Sequence, residues 1–97
     1  MATYVVLLKF TQNGIANIKD SPARLDAAKQ AFKAMGAELK DYFLVMGQYD
    51  AVVIAEAPND EVVAKLALAT GAQGHVSTQT MRAFNEEEYR RIIAALP

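Results

Sequence analysis

Two short runs, "TYVVLLKF" at residues 3–10 and "DAVVIAEA" at 50–57, limit the fold more than any other feature of the chain. Each is rich in β-branched residues and bounded by turn chemistry. The first is apolar on both alternating faces, with Tyr4, Val6, Leu8 and Phe10 on one and Val5 and Leu7 on the other, and the second is almost continuously apolar. Such strands belong in the middle of a sheet, where both faces are covered. Two further runs have mixed polarity. "ELKDYFLVM" at 38–46 leads into the second apolar run through "GQY", read as a short hairpin connection. "HVSTQTMRAF" at 75–84 alternates weakly and carries Ser, Thr and Gln, as a half-wet edge strand does.

Helical signals fill the gaps. "TQNG" at 11–14 is turn chemistry, and "IANIKD" predicts a brief helical turn. Ser21 as cap, Pro22 at the first position and Gly36 as a left-handed close bracket a helix over 22–35. Leu25, Ala28, Phe32 and Met35 form its inward stripe, with Arg24, Asp26, Gln30 and Lys33 pointing elsewhere. Pro58-Asn59-Asp60 starts a second helix, capped by Asn59 or Asp60, with Val62, Val63, Leu66 and Ala67 inward and Gly71 and Gly74 closing it. Asn85, with Glu88 three residues later, caps a terminal helix whose apolar side is Tyr89, Ile92, Ile93 and Leu96.

The order βαββαβ plus a C-terminal helix predicts an α+β, ferredoxin-like fold with a four-stranded antiparallel sheet. Right-handed crossovers put strands one and three in the centre and two and four at the edges. Ninety-seven residues make one domain, 1–97, with a modest core. Both long helices cover one sheet face, yet the central strands are apolar on the other face too. The expected cover is a second subunit, giving a homodimer or higher homo-oligomer through the sheet.

Charge and composition narrow the partners. Ten Lys and Arg against eleven Asp and Glu leave a net charge of −1, without the basic excess that binding a phosphate backbone requires, so nucleic acid is not an expected partner. There is no Cys, which removes disulfides, thiolate metal sites and cysteine nucleophiles. The opening residues lack a basic leader and a cleavage site, and no run approaches the ~20 apolar residues that span a bilayer. A cytoplasmic protein, without membrane insertion, is the expectation.

Four segments together resemble the GYD domain family of small bacterial and archaeal proteins, named for a segment like Gly47-Gln48-Tyr49-Asp50: "YVVLLKFTQNG" at 4–14, "IKDSPAR" at 18–24, "GQYDAVVIAEAPNDE" at 47–61 and "STQTMRAF" at 77–84. The resemblance implies a ferredoxin-like domain of the kind that pairs into dimeric α/β barrels. It implies no particular activity. His75 follows Gly74 where the family pattern more often has a residue such as asparagine, so a role for His75 would be particular to this chain.

Candidate chemistry is sparse. Read from chain direction, Lys9, Thr11, Lys40, Tyr42, Glu56 and His75 are expected on one rim of the sheet, and Tyr4, Gly47, Tyr49, Asp50 and Arg82 on the other. Glu56 near the end of a central strand, with Lys9 as partner, reads as a structural ion pair or as a general base in a barrel cavity. His75, the lone histidine, could be an acid, a base, a metal ligand or a single axial haem ligand, but nothing singles out any of these. Tyr49 and Asp50 could bind a ligand or hook nearby backbone, and Thr78, Thr80 and Arg82 could line a polar pocket or make cross-strand pairs. Gly47 precedes a strand and not a helix, so it reads as a hairpin glycine and not a phosphate loop. No metal site and no cofactor is assigned.

Three functions fit. The first is a homo-oligomeric module that binds a small molecule or regulates a partner. The second is a cofactor-independent barrel enzyme acting on a small organic acid or aromatic substrate, with Glu56 or His75 as base and Tyr42 or Arg82 polarising an oxygen. The third is a purely structural dimerisation domain. The absence of a Ser/His/Asp set or nucleotide loop favours the first.

Overall fold

Both doubly apolar runs become central strands. The computed structural model describes residues 1–97, in the order β1 (Ala2–Phe10), α1 (Gln12–Ala16), a 3-10 turn (Ile18–Asp20), α2 (Ser21–Ala34), β2 (Glu38–Leu44), β3 (Ala51–Ala57), α3 (Asp60–Ala72), β4 (Val76–Ala83) and α4 (Glu86–Ala94). The sheet is antiparallel throughout, with strand order β2-β3-β1-β4. It is the ferredoxin-like α+β arrangement that the element order predicts.

The period of two along each strand sorts residues between the sheet's faces. Tyr4, Val6, Val53, Ala55 and Ala57 are buried on the inner face against Phe32, Val63 and Leu66 of the helices. The outer face carries Val5, Leu7, Val52 and Ile54 in the centre, flanked by Phe43 and Met81. No helix of the chain covers this face, and Phe43 and Met81 stay 54% and 40% exposed.

Helix boundaries follow local chemistry, with some corrections. The first helical turn starts within "TQNG" and not only in "IANIKD": α1 begins at Gln12, capped by Thr11, whose side chain accepts from the Gly14 N–H at 3.0 Å. Ser21 lies inside the first turn of α2, behind Asp20, so it does not cap that helix. Gly36 closes it at φ 75°, the left-handed region that glycine enters without steric cost. Asn59 caps α3 by accepting from Val62 N–H, and Gly74 at φ 81°, not Gly71, supplies the left-handed turn after it. Asn85 and Glu88 form the reciprocal capping box of α4.

Two sequence expectations fail for geometric reasons. The β2–β3 connection spans residues 45–50 and is longer than "GQY", and Gly47 has no positive φ, so it is not a hairpin glycine in the conformational sense. The rims also regroup. Because β1 and β3 are antiparallel, the end of one meets the start of the other: Glu56 pairs with Thr3, while Lys9 pairs with Ser77. Glu56 and Lys9 therefore sit six register steps apart, roughly 20 Å, and cannot form an ion pair.

The C-terminal helix stands apart from the body. Tyr89, Ile92, Ile93 and Leu96 are 45% to 62% exposed, and α4 packs substantially on no other element. The chain's long dimension is 51 Å.

Candidate ligand-binding site

Alanine dominates where α2 and α3 face each other and the sheet. Ala27, Ala28 and Ala31 on α2, and Ala67 and Ala69 on α3, stand where larger side chains would close the space, and a cavity of about 170 Å³ remains between the helices and the inner sheet face. Its floor is Val6, Leu8, Val53 and Ala55 of the central strands, and Phe32 and Leu66 reach in from the helices. The cavity lies on the helix-covered face of the sheet, whereas a barrel cavity would lie on the outer face.

Polar side chains interrupt this lining: Ser21, Arg24, Tyr42, Thr70, Gln73, His75, Thr78 and Thr80. Arg24 leans along α2 with its Nη1 donating to the Asn17 carbonyl at 3.1 Å. Its Nη2 is buried without a hydrogen-bond partner, and no carboxylate pairs with the guanidinium. Nδ1 of His75 is likewise buried and unpartnered. Burial holds the Tyr42 phenol above its ordinary range, opposed by a hydrogen bond with Ser21 and reinforced by the charge of Asp50.

The backbone of His75 is fixed from behind by α1. Thr11 N–H donates to the His75 carbonyl at 3.0 Å, and the Thr11 hydroxyl donates to the Gly74 carbonyl at 2.7 Å. Gly14 lies so close to the same carbonyl that a Cβ there would overlap it. This close approach, and not a positive φ, is what requires glycine at position 14.

The structure brings Tyr42, His75, Thr78 and Thr80 to the cavity and places the other sequence candidates elsewhere. Glu56 lies on the lower rim, where Lys40 approaches it at 3.7 Å; a bulge between Leu39 and Asp41 turns Lys40 toward it. Both side chains are partly exposed, so the pair contributes at most about 1 kcal/mol. Lys9 is exposed on the upper rim. Tyr49 crosses to β4, its hydroxyl donating to Gln79, which shares the outer face with Leu7. Asp50 extends the β1–β3 ladder: its N–H donates to the Leu8 carbonyl at 2.8 Å and its carboxylate accepts the Phe10 N–H at 2.8 Å. Arg82 lies at the opposite end from His75, with its guanidinium 4.5 Å from the Phe84 ring centroid and 5.7 Å from that of Tyr4, and 3.5 Å from Glu88.

Arg24 is the cavity residue that the sequence pattern misplaces, on the polar side of α2. A signal exists: Arg24 stands four residues before Ala28 and eight before Phe32, the spacing of one helical face. Chemically the site offers an apolar bed interrupted by polar side chains. It does not bring Glu56 and His75 together, and no group of three His, Cys, Asp or Glu gathers in a way that could hold a metal ion.

Comparison with known proteins agrees with this fold. The "Glutamine synthetase and cystathionine beta-lyase binding protein" of Thermus thermophilus is 30% identical over 84 residues, covering 86% of this chain and 88% of that protein. Among solved structures, TTHA0845 from Thermus thermophilus superposes with a TM-score of 0.55 at 22% identity, over 88% of this chain and 95% of that one. The Mycobacterium tuberculosis leucine response regulatory protein LrpA superposes with a TM-score of 0.57 at 14% identity over 87% of this chain, which spans about half (51%) of LrpA. The family model of the GYD domain matches residues 4–93, and the chain belongs to that family.

Proposed function

We propose that this chain is a homo-oligomeric module that binds and regulates other proteins, and that its copies pair through the outer face of the sheet. The observation that carries the pairing is the uncovered apolar band of Val5, Leu7, Val52 and Ile54, extended by Phe43 and Met81. Central strands apolar on both faces need cover on both, and the chain's own helices supply only one. Helix α4, amphipathic and unpacked, adds a second apolar strip that a neighbouring copy can cover. The protein-binding role is supported by the Thermus relative, whose name describes a protein that binds glutamine synthetase and cystathionine beta-lyase.

Native mass spectrometry of the wild type and of Ile54→Glu tests the pairing. An oligomer that Ile54→Glu splits into folded monomers supports the outer face as the interface, because a carboxylate buried there without a partner is strongly unfavourable. A monomeric wild type refutes it. Biolayer interferometry against purified glutamine synthetase and cystathionine beta-lyase from the same source as the chain then tests the binding role. Absence of binding to both at micromolar concentration removes the transfer from the relative.

A further inference from the structure

The inner sheet face and the small residues above it enclose space that neither the fold nor the pairing of copies uses. We propose that this cavity, between the sheet and helices α2 and α3, binds a small neutral molecule about the size of one aromatic ring, with an apolar body and a hydroxyl substituent, as in a simple phenol or monocyclic alcohol. The inference is independent of the pairing proposed above, because the cavity lies on the helix-covered face and the pairing surface on the other.

Size and access come first. A cavity of about 150 Å³ lined by Leu, Ile and Phe takes benzene, and this one is about 170 Å³ with a lining mostly of aliphatic and aromatic residues. Val6 and Val53 on its floor are buried, whereas Ala27, Ala31 and Ala69 on its helical walls are exposed, so the space opens to solvent between α2 and α3. Water that enters meets an apolar floor, and its release by an apolar ligand is favourable.

Strand register places the polar groups. On the inner face Tyr42 pairs with Val53, Val53 with Val6 and Val6 with Thr80, so these four form one row across the sheet. Neighbouring strands lie about 4.8 Å apart, which sets the Tyr42 and Thr80 backbones roughly 14 Å apart at the margins of the floor, with the two valines between them. An apolar body seated on the valines therefore has a hydroxyl-bearing margin on either side. A hydroxyl both donates and accepts, so either margin suits a ligand hydroxyl in either sense. Neutrality follows from the rest of the wall. Asp, Glu and Lys are absent from it. Arg24 has one guanidinium nitrogen on the Asn17 carbonyl and another buried away from the open space, and Nδ1 of His75 is likewise buried. An ionised ligand would give up its hydration without a counter-ion in contact, which is strongly unfavourable.

A two-dimensional ¹H–¹⁵N NMR titration with phenol tests the proposal at neutral pH, where phenol is un-ionised, with sodium benzoate as the ionised match. Phenol is expected to shift amides at Ala28, Tyr42, Val53 and Thr80 saturably and to bind about tenfold or more tightly than benzoate, because desolvating a carboxylate opposes binding. Ala28→Leu adds an isopropyl group to the α2 wall. It is expected to lose the phenol response and to melt at or above wild type, because the larger side chain fills space that is open in the native chain. Ala67→Leu, from the facing helix, serves the same purpose if Ala28→Leu does not fold. Benzoate binding as tightly as phenol, phenol shifts confined to other surfaces, no saturable shifts up to about 10 mM, or a folded filling variant that responds to phenol like wild type would each overturn the assignment.

Discussion

Gly14 offers the sharpest test of how the His75 backbone beside the cavity is held. In Gly14→Ala the new Cβ would overlap the His75 carbonyl oxygen and stand 3.0 Å from its carbon, with backbone on both sides. Carbon atoms pack best at about 3.5–4.0 Å, so the carbon contact alone asks α1 and β4 to part by roughly 0.5–1 Å. That movement stretches the 3.0 Å bond from Thr11 N–H to the same carbonyl toward the limit of hydrogen bonding and strains the 2.7 Å bond from the Thr11 hydroxyl to Gly74. Loss of two such bonds costs about 1–3 kcal/mol. Alanine's better helix propensity returns at most about 1 kcal/mol. A net loss near 1–2 kcal/mol lowers the melting temperature by roughly 4–16 °C in a domain of this size. Thermal denaturation followed by circular dichroism, at one fixed protomer concentration, reads the shift. Gly71→Ala is the matched control: it lies within α3, its Cβ meets nothing within 4 Å, and it is expected to gain about 0.5–1 kcal/mol. If Gly14→Ala melts at or above wild type while Gly71→Ala rises as expected, the close approach at His75 is not a structural constraint and the clamp argument fails.

Three further outcomes follow from the geometry. Burial, the hydrogen bond to Asp60 and the Asp60 charge raise the Tyr4 phenol above its ordinary value near 10, with Arg82 opposing. A raised folded value favours the neutral phenol, so its contribution is complete below pH ~10 and lost as pH climbs through the folded value. Tyr4→Phe should cost about 1 kcal/mol at neutral pH yet flatten the alkaline decline, and denaturant melts at several pH values between neutrality and the alkaline limit compare the two slopes; equal slopes count against it. Asn85→Ala removes the cap of α4, worth about 1 kcal/mol. Because α4 packs on no element of its own chain, in the Ile54→Glu monomer hydrogen exchange should quicken there while the body's melting temperature holds, and a fall in the monomer's global stability would mean that α4 docks on its own body. Gly47→Ala should leave stability within about 0.5 kcal/mol of wild type, since Gly47 has neither a positive φ nor a neighbour within 4 Å of its Cβ position; a larger loss in melts at fixed protomer concentration would place Gly47 in a contact between copies.

The elements that were legible from sequence share a cause. Period-two apolarity in β1 and β3 and the caps at Asn59, Asn85 and Gly36 are local signals, and local chemistry decided them. What failed needed relations between strands. Whether Glu56 meets Lys9 or Lys40 depends on strand direction and on a one-residue bulge in β2, neither of which Glu56's own neighbourhood encodes. For Asp50 the backbone-hooking alternative is the one the structure bears out, but the partner is the Phe10 N–H of another strand, which no reading of "GQYD" alone reveals.

The cavity was hidden for a different reason. An inward alanine satisfies the apolar pattern of a helix as well as a leucine does, so hydrophobic periodicity identifies the buried face without reporting whether that face is filled. Ala28 and Ala67 pass as core in the helical stripes, yet with Ala27, Ala31 and Ala69 they line the space above Val6 and Val53. The same ambiguity concealed Arg24, because a long side chain starting on the flank of a helix can bend its polar end inward. A helix face that is rich in alanine is therefore a sequence pattern to examine for a binding site and not only for packing. In this chain the opposite wall supplies the lone histidine, held by a glycine that permits no side chain. What separates a site from an underfilled core is polar side chains along the wall of the space, and Ser21, Tyr42, Thr78 and Thr80 line this one beside the apolar bed.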